Sequence, residues 1–446
     1  MDPPAFCRTH TFIRCFFIPV YLFRRKADIL KALNNDRFAI CSTILQEPHM
    51  ELTVYRQAMK ERPDGTIVYK GEDARPYVDD RLIMVADGLG GAAAIRHLKF
   101  NQDMFDKDKL MDALFQGVYD DYSDENFCRY VTDSFFELFA VKDCYTDNVN
   151  NIKKSGYFAS RIVAAIILHE MTYNKNVDPA RIFELYHKAD KKGKAEALLA
   201  ELGKHFTEVV REDLKETAEH VNLVYESSYS GLALLGTTLC LTIYLEKEDT
   251  VEAVYLTAGD SRPYVWTEKE GLRQIADDEE REDGGMTNYI KANEDAEFTL
   301  RCEFKCFKKP CVLFNASDGC FDSGYFLSPL AFEKLILDKA LEAENEETMG
   351  SALYESFLTL GRHDDSSTIA MKFFGFESFS AFRESAEKRL EQLNKEYFEQ
   401  MPDLLDDDYM SHQSGEEGLS EKGELQKALF DQYEKTYGSL MRGTVQ

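Results

Sequence analysis

The sequence has no hydrophobic run long enough to span a bilayer. The most apolar candidate, "FIRCFFIPVYLF" at Phe12–Phe23, is too short and is interrupted by Arg14 and Pro19. Basic residues follow it instead of a small-residue cleavage site. We therefore expect no stable membrane span, and interpret the segment as a buried strand or docking segment, with interfacial membrane contact as the alternative.

A disulfide or zinc framework is also missing. The ten cysteines follow no even, close-set pattern. The tightest group, Cys302, Cys306 and Cys311, has no neighbouring His and no spacing typical of a zinc site. We interpret the cysteines as reduced thiols of a cytoplasmic protein.

Basic residues are few relative to acidic ones. The chain has 53 Lys and Arg against 80 Asp and Glu, a formal net charge of -27. Such a surface repels nucleic acid and anionic membranes, so we expect no nucleic-acid partner and consider cations more natural ones. Taken alone, the charge is more typical of a merely soluble protein than of a cation-binding one.

Short apolar runs that end in an acid recur along the 446 residues. They are "LIMVADG" to Gly88, "VEAVYLTAGD" to Asp260 and "CVLFNASDG" to Gly319. Their length and composition predict strands. Only "EKEDT" and "SR" separate "LCLTIYL", "VEAVYLTAGD" and "PYVW", which predicts that these three strands pair antiparallel without a crossover helix.

Helical patterns occupy the other regions. An apolar stripe at Gly156–Met171 predicts a helix against a sheet, and residues 178–221 and 328–361 predict further helices. Beyond Phe374 the chain is acidic and helical in pattern, with a break at residues 403–418. The predicted fold class is α+β, with antiparallel strands and helices on their outer faces.

Asp87 and the glycines that follow it indicate a possible cation site. Carboxylates and backbone carbonyl oxygens are the ligands that Mg²⁺ and Mn²⁺ prefer, and glycine lets the backbone approach an ion closely. The competing interpretation is a simple turn, in which Asp bonds its own backbone.

The acidic segments occur in a recognisable order. They are "GEDA" at Gly71–Ala74, "VADGLGG" at 85–91, "GTTLCLTIYL" from Gly236, "LTAGDSRPYVW" from Leu256, "LFNASDGCFD" from Leu313 and "HDDSSTIAM" from His363. This series resembles the motifs of the metal-dependent protein serine/threonine phosphatases of the protein phosphatase 2C type (PPM). Leu89 stands where eukaryotic members carry His, so the pattern is similar to the bacterial variant.

The resemblance implies an antiparallel β-sandwich flanked by helices, and a hydrolase acting on phosphoserine or phosphothreonine in a phosphoprotein substrate. The reaction would use a metal-activated water at a site with two Mg²⁺ or Mn²⁺ ions. By resemblance, Asp87 bridges the two ions, and the Gly88 carbonyl oxygen completes the coordination of one of them. Asp73 is a ligand or an acceptor for the water, so Asp87 and Asp73 are the predicted catalytic residues. The implied metal ligands are Glu72, Asp73, Asp87, Gly88, Asp318 and Asp364.

Two positions of the resemblance leave a choice open. Asp365 competes with Asp364, which we prefer because it keeps "TIAMKFF" in register with the family's final strand. Lys70 is the residue available for the substrate phosphate where the family commonly carries Arg, and a Lys serves as a point charge rather than a bidentate fork.

The chain departs from the family in its length. "GGAAA" and "GYFASRIVA" resemble two halves of one short motif, separated here by residues 92–155, a predicted helical insertion. We predict a catalytic domain at 1–375 and an acidic helical extension at 376–446. A protein partner could bind at the insertion or at the C-terminal helices.

Some features of the sequence bear on functions other than a phosphatase. The alternative is a catalytically weak or inactive phosphatase-like protein with a regulatory or binding role. A cysteine phosphatase is excluded because no Cys-x5-Arg loop is present, and a calcium scaffold is disfavoured because the D-x-[DN]-x-[DN]-G pattern is absent.

Overall fold

A computed structural model describes most of the chain beyond residue 49. The described residues are 50–61, 67–69, 71–89, 129–130, 134, 155–189, 191–220, 235–277, 288–292, 297–321, 328–360, 366–406, 409 and 419–442. They all belong to the second of the two units into which the chain divides, Pro48–Gln446. The apolar segment Phe12–Phe23 lies outside the described residues.

The described strands, in chain order, are β1 Glu51–Arg56, β2 Met59–Glu61, β3 Ile67–Tyr69, β4 Tyr77–Val78, β5 Leu82–Val85, β6 Gly236–Thr237, β7 Leu239–Glu246, β8 Thr250–Ala258, β9 Arg262–Thr267, β10 Gly271–Gln274, β11 Ile290–Lys291, β12 Arg301–Lys308, β13 Cys311–Ala316 and β14 Ser367–Phe374. The described helices are α1 Ser155–Tyr173, α2 Pro179–His187, α3 Lys192–His220, α4 Pro329–Glu342, α5 Glu346–Leu360, α6 Phe379–Leu393 and α7 Glu421–Arg442.

Two antiparallel sheets form the centre of the fold. Sheet I has the strand order β1-β14-β13-β9-β10, and sheet II has the order β12-β8-β7-β5-β4. Because side chains alternate along a strand, the run "LIMV" of β5 serves two layers. Leu82 and Met84 pack with α1, whereas Ile83 and Val85 pack in the apolar layer that sheet II shares with sheet I. The predicted α+β antiparallel sandwich flanked by helices is confirmed.

A buried asparagine joins the two sheets. The Asn315 amide on β13 donates to the carbonyl oxygens of Ile83 (2.9 Å) and Cys240 (3.0 Å) in sheet II. The Thr242 hydroxyl donates to Asn315 Oδ1 at 2.8 Å. Polar groups in an apolar layer must be paired, so these bonds fix the lateral position of one sheet on the other.

The predicted pairing of "PYVW" with "VEAVYLTAGD" is wrong. Strand β8 pairs with β7 and β12 in sheet II, whereas β9 pairs with β13 and β10 in sheet I. The connection turns at Gly259, which has a φ of 98°, and a Cβ there would lie 2.6 Å from the Thr238 side chain. A short connection excludes a crossover helix, but it can form a corner between two sheets as readily as a hairpin.

The predicted helices are present. Gly156–Met171 lies within α1, and the two later patterns form α2 with α3 and α4 with α5. No helix in the described ranges is long and apolar enough to cross a membrane. The five cysteines in these ranges are free thiols.

The C-terminal helices pack on the outer side of sheet I. Glu333 of α4 is fully buried and accepts from Arg389 of α6 at 2.9 and 3.2 Å. The Tyr433 hydroxyl of α7 donates to the same carboxylate at 2.6 Å. A buried charge needs such partners, so this cluster ties α4, α6 and α7 to one another.

Candidate metal centre

Asp87 lies in the turn just beyond the C-terminal end of β5, and hydrogen bonds hold the backbone of this turn. The Asp87 carbonyl accepts from Thr238 N (2.7 Å) and from Thr237 Oγ1 (2.6 Å), and Asp87 N donates to Thr238 Oγ1 (3.1 Å). The Asp87 side chain is 9% exposed. These bonds use only backbone atoms of Asp87, so its carboxyl makes its contacts with other groups.

Gly88 brings three chain segments into contact. A Cβ at Gly88 would lie 2.2 Å from the carbonyl oxygen of Gly156 and 2.5 Å from that of Glu72. No side chain fits there, so glycine is required for the turn after β5, the start of α1 and the "GEDA" segment to meet. The structure thus places Gly88 beside Gly156, although the predicted insertion 92–155 separates them in sequence.

Asp73 is the most buried acid of the centre, with no exposed surface. The Thr368 hydroxyl donates to Asp73 Oδ2 at 2.5 Å, and the Asp87 carboxyl is a hydrogen-bonding neighbour. Burial raises the pKa of Asp73, and the negative charge of Asp318 raises it further, while the contacts with Asp87 and Thr368 act in the opposite direction. Asp73 Oδ1 is buried and has no hydrogen-bond partner among the described residues.

This arrangement fits a hard cation. Two ionised carboxylates cannot donate to each other, so the contact between Asp73 and Asp87 requires a proton or a cation. A buried carboxylate oxygen without a partner is costly, and a divalent ion would satisfy it. The two carboxyls supply the oxygen donors that Mg²⁺ and Mn²⁺ prefer.

Two further predicted ligands, Asp318 and Glu72, are described near Asp73. Asp318 follows β13, is half-buried, and accepts from Gly319 N at 2.7 Å, while its charge acts on Asp73. Glu72 is half-buried, and its carbonyl accepts from the Ser160 hydroxyl of α1 at 2.5 Å. The fold thus brings Asp87 and Asp318, which follow β5 and β13, near Asp73, which belongs to no strand.

The remaining predicted site residues stay predictions. Asp364, its competitor Asp365 and Lys70 lie outside the described residues. Within the described ranges, no three Asp, Glu, His or Cys side chains are close enough to hold a metal ion.

Comparisons with known proteins give distant structural likenesses. No protein-family model matches the chain, and no curated protein matches it. The catalytic domain of the serine/threonine protein phosphatase PstP with two manganese ions is 16% identical, with a TM-score of 0.40, and the match covers 73% of this chain and 97% of that one.

Two further structures have similar values. Stp1, a serine/threonine phosphatase from Staphylococcus aureus, is 14% identical with a TM-score of 0.38 over 76% of this chain and 99% of that one. MsPP, a PPM Ser-Thr phosphatase from Mycobacterium smegmatis in complex with cacodylate, is 15% identical with a TM-score of 0.34 over 73% and 98%. At these values, function has to be inferred from the residues of this chain.

Sequence reasoning missed the residues that hold the acids in place. Thr368 bonds the Asp73 carboxyl, and Tyr55 OH donates to the Asp73 carbonyl at 3.3 Å. Arg161 is fully buried and donates to Tyr55 OH at 2.7 Å. The available signal was the polar pair Ser160 and Arg161 inside the otherwise apolar run of α1, where polar side chains need buried partners.

Proposed function

We propose that this chain is a metal-dependent protein serine/threonine phosphatase that hydrolyses phosphoserine and phosphothreonine in protein substrates. The observation that carries the proposal is the buried contact between Asp73 and Asp87, with Asp73 Oδ1 lacking a partner among the described residues. The ordered series of acidic motifs along the sequence supports the same reaction class.

The ligand set that we assign would hold two Mg²⁺ or Mn²⁺ ions. The residues that would hold them are Asp87, Glu72, Asp73, the Gly88 carbonyl, Asp318 and Asp364. When bound, two such ions supply positive charge for the phosphoryl oxygens and lower the pKa of a water at the site.

The chain's own residues hold the carboxylates that would bind the ions. Thr237 and Thr238 hold the backbone of Asp87, and Thr368 holds Asp73 Oδ2, so that Asp73 Oδ1 remains available to a cation or to a water proton. These bonds orient the carboxylates before substrate binds, and preorganised charge contributes to catalysis because it need not reorganise during the reaction.

Substrate binding would use other parts of the chain. We assign the phosphate to Lys70 as a point charge. The catalytic domain would comprise residues 1–375 and act in the cytoplasm, while the insertion 92–155 and the extension 376–446 would be available to protein partners.

The test is hydrolysis of an aryl phosphate and of a phosphothreonine peptide, with and without Mn²⁺. We expect activity only with the metal, and at least about a 100-fold loss in Asp87→Asn, since even residues behind metal ligands contribute roughly 10–100-fold. Asp431→Asn, an exposed position on α7, is the matched control and should retain activity.

Two results separate this proposal from its alternative. Full activity in excess chelator would contradict a metal mechanism. Binding of Mn²⁺ with no hydrolysis of either substrate would support the inactive, phosphatase-like binding protein instead.

A further inference from the structure

The insertion 92–155 has described residues that contact the segment carrying two proposed ligands. We call residues 72–75 the acidic loop. The Tyr130 hydroxyl donates to the carbonyl oxygen of Arg75 at 2.8 Å, and the Tyr130 ring packs edge-on against Tyr77 with centroids 5.3 Å apart. Tyr130 is 7% exposed. This aromatic side chain is therefore buried against the end of the acidic loop.

A second described residue of the insertion reaches the loop through Arg161. The Ser134 carbonyl accepts from Arg161 Nε at 3.2 Å, and Ser134 is 1% exposed. Residues 130 and 134 are both helical. Two described residues of the insertion thus contact the acidic loop and the arginine behind it.

Arg161 transmits this contact to the acids. Its Nη1 lies 3.5 Å from the Glu72 carbonyl oxygen, and its Nη2 donates to Tyr55 OH, which donates to the Asp73 carbonyl. The guanidinium stacks on the Tyr157 ring at 3.4 Å, which fixes its plane.

The acidic loop is held from outside at three of its carbonyl groups. Glu72 O is held by α1, Asp73 O by Tyr55, and Arg75 O by Tyr130. The loop belongs to no helix or strand. Together with the backbone bond from Ala74 N to Ala86 O (2.9 Å), these side-chain bonds hold the backbone from which the Glu72 and Asp73 carboxylates project.

We propose that Tyr130 is a positioning residue for the acidic loop, and that the insertion is thereby part of the scaffold of the metal centre. This inference rests on the proposed function, because its consequence for the metal follows only if Glu72 and Asp73 are ligands. It adds a role for the insertion in site geometry that is separate from any role in selecting substrates.

The Tyr130 hydroxyl remains a donor under all physiological conditions. Burial raises the pKa of Tyr130 to about 12, so the phenol stays protonated when the surrounding carboxylates are ionised. The bond to Arg75 O therefore does not depend on pH in the range where the protein would work.

Coupling between the loop and the insertion acts in both directions. If docking of Tyr130 favours the loop geometry that binds metal, metal binding must favour the docked insertion by the same factor. A protein that pulled Tyr130 away from Arg75 would weaken metal binding, whereas one that held the insertion in place would strengthen it.

The experiment compares Tyr130→Phe with Tyr433→Phe. Each change removes one buried hydroxyl that donates to an acceptor, Arg75 O in the first case and Glu333 Oε2 in the second. The ring of Tyr130 remains on Tyr77, so Tyr130→Phe should fold. Two quantities are measured in both variants: amide hydrogen exchange of residues 71–77 without metal, and the Mn²⁺ dissociation constant by titration calorimetry.

We expect Tyr130→Phe to accelerate exchange in residues 71–77 and to weaken Mn²⁺ binding about fivefold, the effect of losing one net hydrogen bond. Tyr433→Phe should change neither quantity. Unchanged exchange in Tyr130→Phe, or Mn²⁺ affinity within twofold of wild type, would overturn the proposal. If the wild-type protein binds no Mn²⁺, the proposed function fails, and the exchange measurement still decides whether Tyr130 holds the loop.

Discussion

Replacing Asp73 with Asn should stabilise the metal-free protein and remove its stabilisation by Mn²⁺. Burial raises the pKa of Asp73, with a further contribution from the charge of Asp318. A carboxyl whose pKa is higher in the folded state takes up a proton on folding. Stability is therefore greatest below the unfolded-state pKa and falls as pH rises through the folded-state pKa. At neutral pH the metal-free wild type carries a penalty that Asn avoids.

The size of the effect follows from the cost of an ionised carboxyl in a buried site. An unsatisfied buried polar group costs about 1–3 kcal/mol, and more when it is charged. The bond from Thr368 offsets part of that cost, so we expect Asp73→Asn to gain about 1–3 kcal/mol in chelator at pH 7. The amide oxygen of Asn can still accept from Thr368. Below the ordinary Asp pKa of 3.8 the gain should disappear, because the wild-type carboxyl is then protonated in both states.

Bound Mn²⁺ should reverse the order. A ligand at 1,000 times its dissociation constant stabilises the folded state by about 4.1 kcal/mol, which exceeds the gain expected from Asp73→Asn. Only the wild type has the full ligand set, so it should become the more stable protein in saturating Mn²⁺. Thermal unfolding in chelator and in Mn²⁺, at pH 5 and pH 8, measures both effects.

Asp213→Asn is the matched control for this experiment. Asp213 lies on α3, and its pKa is raised by burial and by neighbouring glutamates. Its substitution should leave the Mn²⁺ shift intact. The reasoning is refuted if Asp73→Asn is less stable than wild type in chelator at pH 7, or if it keeps the Mn²⁺ shift.

Three further substitutions test the scaffold. Gly88→Ala should destabilise the protein by about 2 kcal/mol or more, because its Cβ would overlap the Gly156 carbonyl, and denaturant unfolding measures the loss. Asn315→Ala should cost about 2–4 kcal/mol in the same assay, since it leaves buried carbonyl groups of sheet II unpaired. A cost below about 0.5 kcal/mol would contradict the role of Asn315 in fixing the position of one sheet on the other. Glu333→Ala should cost about 3–5 kcal/mol by leaving the Arg389 charge buried, whereas the double variant Glu333→Ala with Arg389→Met should recover part of that loss.

Local pattern was sufficient to predict the strand and helix segments. The apolar runs before Asp87 and Asp318 form β5 and β13, and the stripe from Gly156 forms α1. The periodicity of a strand or helix is a property of neighbouring residues, and a segment buried on one or both faces shows it directly in the sequence. The acids at the strand ends were identifiable for the same reason.

Tertiary structure alone decided which groups meet. The corner at Gly259 sends β9 to sheet I, although the connecting residues are compatible with a hairpin. Thr368 and Asp73 are separated by 295 residues, and the Tyr130 contact crosses 55, so neither appears in any local pattern. A hydrogen bond between residues distant in sequence depends on how the sheets and helices pack. The periodicity of each element does not specify which side chains meet in that packing. The sequence by itself therefore determined the elements and the chemical type of the site, and packing determined its supporting network.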